Sequence, residues 1–566
     1  MMPDTFSTYP YQRPEFDPFS QAFGEALARF EAAGSPQEQG AALAGINALR
    51  TEFTSMYNIC HIRHTMDTRD EFYEKENEFF DRQMPAYEGL VNEFYKKLIA
   101  SPFRPALERQ WGRQLFAVAE LSLKTFDESI IGLLQEENRL SSQYTKLKAT
   151  ASIPFRGKEL TLAEIQKHEI SADRATRREA AAAKWAFFET HAPTIEGIFS
   201  DLVRLRHQMA RQLGYENFIG LGYARMLRTD YNPEMVANFR RQVQEHIVPI
   251  ASRLYERQRR RLGLEQLKYY DEDLRFPEGN PQPQGEPSWI EGQARQMYRE
   301  LSPETAEFFD FMQSQGLMDL QARPGKATGG YCTFVAKYKA PFIFSNFNGT
   351  SGDIDVLTHE AGHAFQVYSS RDIGISEYHW PSYEACEIHS MSMEFFTWPW
   401  MALFFKEEAP KYKLGHLSAA LYFLPYGVAV DEFQHYVYAH PEASAAARNQ
   451  AWREIERKYL PHRDYEGNAY LESGGFWQKQ SHIFSAPFYY IDYALAQICA
   501  FQFWKKSQED HPQAWGDYLR LCQAGGSRSF LGLVELAHLR SPFEDGCLAS
   551  VVDVIVEWIE QAELVQ

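Results

Sequence analysis

The chain has 566 residues, 44% of them hydrophobic and 24% charged, a balance that excludes wholesale disorder and lets a core form without disulfide staples. Its 58 basic residues against 76 acidic ones leave a formal charge of −18. That excess argues against a sequence-independent nucleic-acid binder and against docking on anionic lipid.

The first residues, MMPDTFSTYPYQRPEF, carry neither a basic start nor an apolar stretch, so no secretory signal is expected. The first 190 or so residues read mostly as helix. Between 70 and 100 apolar positions recur at helical spacing, and Pro85 is expected to interrupt the run. Residues 104–148 continue in the same style. Residues 149–163 break it with a short β-like insert, and a second helical run spans about 170–215. Residues 234–264 form a long basic helix ending in ERQRRRLGL, read as a solvated face in so acidic a chain. Residues 271–290, rich in proline, glycine and acid, are the clearest loop. Residues 322–350 carry β-branched and aromatic residues punctuated by glycine and proline and predict a small sheet. Helix resumes after 353 and continues to the end. Within it, Phe395 to Phe405 (FFTWPWMALFF) is the most membrane-like run. It is about half the ~20 residues a span needs and contains Pro399, so a core helix is expected. No repeat array is visible. The expected domains are an N-terminal helical one, 1–190, and a second, 191–566, with its small β element near 322–350. The six cysteines are sparse and form no CxxC pair, which suits a reducing, cytoplasmic setting.

The chemistry concentrates at Asp355-Val-Leu-Thr-His359-Glu360-Ala-Gly-His363-Ala-Phe-Gln366. Two histidines at i and i+4 lie one helical turn apart and can grip one zinc ion, and the glutamate between them can act on a bound water. With 17 histidines in the chain, accident would produce an HExxH in roughly one such chain in thirty. On a helical wheel Leu357, Ala361, Ala364 and Tyr368 make an apolar stripe, with Asp355, His359, His363 and Gln366 opposite. One face can bury while the other presents ligands. Asp355, a turn before His359, is placed to hold that ring's second nitrogen. A hydrolytic zinc needs a third protein ligand and an open position. The next helix-like segment, from Tyr383 to Phe396, offers Glu384, Glu387 and Glu394, and spacing alone does not choose between Glu384 and Glu387. Further on, Tyr489, Tyr490 and Tyr493 cluster after Pro487, a good helix starter, where their hydroxyls can donate to a developing oxyanion. Two other ligand-rich clusters, Cys60-His61-Ile-Arg-His64 and Asp431-Glu432-Phe-Gln-His435, read as helix packing and a local ion pair.

The stretches HEAGHAFQ at 359–366 and EIHSMSMEF at 387–395 resemble the thimet oligopeptidase / oligoendopeptidase F family of zinc metallopeptidases. Glu387 and Glu394 match that family's pair of glutamates seven residues apart. The resemblance implies that His359, His363 and Glu387 hold one Zn²⁺ per chain, that Glu360 is the catalytic base, and that Glu394 supports the ligands. SGGFWQKQSHIFSAPFYYIDYA at 473–494 looks like the family's histidine followed by a tyrosine-rich loop. It implies that His482, Tyr490 and Tyr493 bond the oxyanion and substrate, with Tyr489 as the alternative to Tyr490. CQAGGSRSFLGLVELA at 522–537 looks like the family's Gly-Gly-Ser turn, and PFIFSNFNGT at 341–350 like its substrate-binding edge strand. The likeness covers about residues 200–566 and is closest to bacterial oligoendopeptidases of the Pz-peptidase type. It implies a mostly α fold: a large helical ellipsoid with a small β-sheet beside the active-site helix and a deep substrate channel. The expected function is zinc-dependent hydrolysis of internal bonds in short, unstructured oligopeptides, with neither nucleic acid nor membrane as partner. A zinc carboxypeptidase of similar helical fold, or a peptide-binding protein with weak catalysis, is the alternative.

Overall fold

A computed structural model describes residues 5–565. Among these residues are 24 α-helices and five short strands, so the fold is mostly α with two small sheets, as the resemblance implies. The long helices begin where the sequence supplies caps. The Ser35 side chain accepts from Glu38 N–H at the start of Pro36–Met66, Asp70 accepts at the start of Glu71–Ile99, and Asp173 at the start of Arg174–Gln212. Pro85 does not interrupt its helix. It lies inside Glu71–Ile99, as Pro193 lies inside Arg174–Gln212 and Pro425 inside Ala409–Ala439. A mid-helix proline costs about 3 kcal/mol. Phe80, Tyr87, Phe94 and Leu98 are buried on both sides of Pro85, and each such side chain stabilises by roughly 1.5–3 kcal/mol, so burial prevails. The position 190, expected as a domain boundary, falls within the Arg174–Gln212 helix.

The basic segment forms Pro233–Gln242 and Val248–Arg261, joined by a π-helical turn. Its arginines are neutralised: Arg257 and Arg261 both pair with Glu563 at 3.0 Å, and Arg259 and Arg260 with Glu256. The Phe395–Phe405 run breaks at Pro399 into short helical pieces, with Trp398, Met401, Phe404 and Phe405 buried. Among the described residues no helix is long and apolar enough to cross a membrane.

The insert near 153 is a hairpin of β1 (Ile153–Phe155) and β2 (Lys158–Leu160). The second sheet holds β3 (Met318–Gln321), β4 (Tyr331–Val335) and β5 (Ala340–Phe347) in the order β3-β5-β4, with β5 parallel to β3 and antiparallel to β4. This corrects the reading of 341–350 as an edge strand. β5 is the middle strand, and every one of its residues except Asn346 is buried. A strand covered on both faces is a near-continuous apolar run, and PFIF is one. The edge is β4.

β5 leads through a tight turn into the helix Gly352–Ser369, whose first turn is held by Asp353 accepting from Asn348 N–H at 2.9 Å and Gly349 N–H at 2.7 Å. That helix packs on the helix Tyr383–Phe396. The connector between them, 370–382, is clasped from two sides. From the N-terminal helices, Arg50 pairs with Glu377 at 2.7 Å, Asn47 donates to the Gly374 carbonyl, and the Tyr378 hydroxyl donates to the Trp111 carbonyl at 2.6 Å. Ile375 and Tyr378 complete an apolar core built on Phe23, Phe30 and Phe94. From the C-terminal side, Gly526 N–H donates to the Tyr378 carbonyl at 2.9 Å.

Candidate active site

The helix Gly352–Ser369 buries Leu357, Ala361 and Ala364 completely and turns His359, Glu360 and His363 toward a cleft. Gly362 sets its distance from the helix Tyr383–Phe396. A Cβ at 362 would lie 2.6 Å from Ser390 Cα and 2.7 Å from the His389 carbonyl oxygen, so only glycine lets the two backbones approach this closely. The approach brings Glu387 Oε2 to 3.2 Å from His359 Nε2 and 3.5 Å from His363 Nε2. The three donor atoms lie within 4.8 Å of one another. Glu387 is oriented by the Ser390 hydroxyl, 2.9 Å from Oε2, and by the Tyr489 hydroxyl, 2.7 Å from Oε1.

Glu394, two turns beyond Glu387, bridges a second layer. Its Oε1 meets His359 Nδ1 at 2.8 Å and its Oε2 meets His416 Nε2 at 2.8 Å. The second nitrogen of His359 is therefore held by Glu394 and not by Asp355. Helical side chains tilt toward the N-terminus, which carries Asp355 away from His359. Its carboxylate instead accepts from the Tyr412 hydroxyl at 2.5 Å. Glu384 is buried but makes no contact with either histidine. It accepts from the Ser382 hydroxyl at 2.9 Å, and burial together with Asp492 pushes its carboxyl up.

Electrostatics set the charge of the cluster. Burial pushes the Glu387 carboxyl up, but His363 and His359 outweigh it and hold it well below the usual range. Burial pushes His359 down, and Glu387 and Glu394 override it and hold the ring well above an ordinary histidine. One positive charge is thus favoured between these groups. Two imidazole nitrogens and one carboxylate oxygen converging on a point, with a carboxylate behind one imidazole, make the donor set of a catalytic zinc site that keeps one position open. The residues fit the ion.

The cleft over this cluster has a volume of about 630 Å³. His359, Glu360, His363 and Glu387 line it together with Gly330, Tyr331 and Cys332 at β4, and with Tyr383, Tyr489 and Tyr493. Arg50 and Tyr95 line it from the N-terminal helices. Glu360 keeps one carboxylate oxygen buried without a partner, and burial pushes its carboxyl up against the pull of His363 and His359.

The tyrosine loop is arranged differently from the implied assignment. Tyr489 and Tyr493 line the cleft, and Tyr490 does not. Four residues advance a helix by about 400°, so 489 and 493 share a face while 490 is turned about 100° away. The Tyr490 ring packs on Phe423 at 5.6 Å and Tyr426 at 5.8 Å. His482 stands beside both cleft tyrosines, its ring 5.8 Å from each, outside the side chains that line the cleft. The loop turns at Phe488, whose φ of 67° lies in the left-handed region. Gln434 accepts its N–H at 2.8 Å and the fully buried Arg228 donates to its carbonyl at 2.5 Å while pairing with Asp492 at 2.8 Å. His416, Tyr412, Gln434 and Arg228 reach the site from distant segments, and no local motif marked them.

Two family descriptions match the chain: the peptidase M3 N-terminal domain over residues 6–126, and peptidase family M3 over residues 168–279 and 304–552. Among solved structures the chain is similar to Pz peptidase A with an inhibitor, at 59% identity and a TM-score of 0.94 over 98% of this chain and 99% of that one. A protein assigned as an oligoendopeptidase F matches at 58% identity and 0.94 over 99% of both chains. One from Bacillus anthracis str. Ames, similarly assigned, matches at 52% and 0.90 over 99% of this chain and 98% of that one. No curated protein matches the chain. On identities this high over whole chains, together with the two family matches, the chain belongs to peptidase family M3 and is a metalloendopeptidase.

Proposed function

We propose that His359, His363 and Glu387 hold one zinc ion per chain and that the cleft above them cuts internal bonds of short, unstructured peptides. The observation that carries this reading is the meeting of three metal-ligand atoms on one point at the floor of a cleft, beside a buried, unpartnered oxygen of Glu360. Zinc, when bound, supplies Lewis-acid polarisation of the scissile carbonyl and of water. Glu360 takes the proton of the attacking water and hands it to the leaving amine, and burial raises its affinity for that proton against the pull of His363 and His359. Tyr493, with Tyr489 and His482 beside it, donates hydrogen bonds to the oxyanion as it forms. Tyr490 supports these groups by packing.

The peptide is held in extended form against β4, the sheet edge that the cleft exposes at Gly330 to Cys332. Pairing through main-chain atoms is indifferent to side chains, so sequence preference is broad. The N-terminal helices Pro36–Met66 and Glu71–Ile99 supply the opposing wall through Arg50 and Tyr95 and close the site to folded proteins. The unpaired cysteines, several of them buried, fit a reducing, cytoplasmic setting.

The test uses peptides of graded length blocked at both ends, alongside a native globular protein, with the metal content of Glu387→Ala and Glu384→Ala measured in parallel. Blocked peptides up to a few tens of residues should be cut internally and the folded protein left intact. Zinc should be lost from Glu387→Ala and retained by Glu384→Ala. Rapid digestion of the native protein would sink the enclosed site, and the opposite metal ranking would sink the ligand set.

A further inference from the structure

His482 carries two ring nitrogens, and only one can hold the proton when the ring is neutral. Which one it is decides whether the ring can donate toward a substrate. The Tyr426 hydroxyl donates to Gln480 Oε1 at 2.9 Å, and Gln480 Nε2 lies 2.7 Å from His482 Nδ1. An amide nitrogen only donates, so Nδ1 must accept and the ring proton sits on Nε2. Nε2 makes no hydrogen bond among the described residues and is not sealed from solvent.

We propose that Tyr426 and Gln480 are positioning residues that fix His482 in the Nε2–H tautomer, leaving its one donor free for the substrate oxyanion. The proposal rests on the reading that His482 donates in the reaction.

The surroundings keep the ring neutral, so the tautomer is what remains to be chosen. Burial and then Lys148, from the helix Ile131–Ala149, push His482 down, against a smaller pull from Glu387. Lys148 is fixed nearby, donating to the Ser481 hydroxyl at 2.7 Å and the Lys479 carbonyl at 2.8 Å. The remaining groups that face the ring, Tyr489, Tyr490 and Tyr493, are all held as neutral phenols by burial. Gln480 cannot swing away easily, because Tyr426 is itself wedged against Phe476 at 5.9 Å and Tyr490 at 5.8 Å. A glutamate at 480 would reverse the arrangement. It would take Nδ1–H, strip the donor from Nε2 in the neutral ring, and restore it only in the imidazolium.

The tautomer can be read directly from long-range ¹⁵N–¹H correlations of the histidine-labelled wild-type enzyme, with His482→Phe supplying the assignment. Nε2 should be protonated and Nδ1 bare. A proton on Nδ1, as an amide turned end over end would leave it, overturns the proposal whatever the variants do. Gln480→Met and Tyr426→Phe should lower kcat about 5- to 20-fold with KM within twofold of wild type. Gln480→Glu should lose kcat as pH rises through the neutral range, where the wild type does not. Wild-type kcat and pH profile in Gln480→Glu, with the thermal midpoint unchanged, would also overturn the relay. His482→Phe separates the two layers. If it keeps full kcat, the donor role itself fails. If it loses kcat while the Gln480 variants keep theirs, the relay alone fails.

Discussion

Glu360 holds two properties that rarely coexist in a surface carboxylate: it lines a cleft, and one of its oxygens is buried with nothing to bond. A base that waits for a water looks like this. Glu360→Gln keeps the volume and leaves the proposed ligands His359, His363 and Glu387 in place, so metal content should be unchanged while turnover falls at least ~10³-fold. Stopped-flow turnover beside metal analysis checks it, and near-normal turnover would remove Glu360 from the chemistry. The tyrosines divide by geometry. Tyr493→Phe should lower kcat more than it raises KM, by about 2–4 kcal/mol for a lost oxyanion donor. Tyr490→Phe should leave kcat within about twofold, because its ring packs and does not face the cleft. Equal losses in both variants would refute the assignment. What was legible here was local. HExxH, the seven-residue spacing of Glu387 and Glu394, and the i, i+4 pairing of Tyr489 with Tyr493 are all visible in the sequence. The carboxylate behind His359 was misread as Asp355 because the wheel gives the face of a residue and not the tilt of its side chain. His416 bonds the site from a segment that no motif marked, and Gln480, although inside the 473–494 stretch, is not a residue type that its spacing singles out.

Between elements, the helix pair matters more than either helix alone. Gly362 lets the two backbones touch, and a methyl group there would meet main-chain atoms that cannot yield. Gly362→Ala should therefore spread the helices, drawing Glu387 off His359 and His363. We expect at least a tenfold weaker zinc affinity by competition titration, with a stability loss of about 1–3 kcal/mol. Unchanged affinity would mean that the helices adjust without moving the ligands. The strand assignment shows a different limit. The apolar run of β5 fits a strand covered on both faces, but β3, only four residues long and half apolar, gave no sign that it would cover the far edge. The expected interruption at Pro85 fails for a related reason. Local propensity registers the cost at Pro85, whereas the compensating burial comes from distant partners.

The molecule is tied across its length by buried ion pairs. Glu137, on an N-terminal helix, pairs with Arg206 at 2.6 Å and Arg225 at 3.0 Å, and Arg206 in turn donates to the Ile483 carbonyl beside His482. Burial pushes the Glu137 carboxyl up, but the two arginines outweigh it and hold it low. A depressed folded value means that its stabilisation is complete above the ordinary glutamate range, about 4.3, and is lost as pH falls below it. Urea midpoints measured from pH 6 down to 3.5 should fall for the wild type. Glu137→Gln should start lower at pH 6 and fall less steeply. A parallel slope in the variant would exclude Glu137 as a source of the acid sensitivity. One further consequence follows from the clasped connector. The segment between the helices that carry His359, His363 and Glu387 is gripped by residues near 50 and 111 on one side and by Gly526 on the other, and Glu387 takes a hydrogen bond from Tyr489. A ribosome delivers the grip near 50 and 111 first, then the two helices, and only later Tyr489 and Gly526, so half of the clasp is missing when the helices emerge. A cleft assembled this way should reach its final geometry only after the segment that carries Tyr489 and Gly526 has been made.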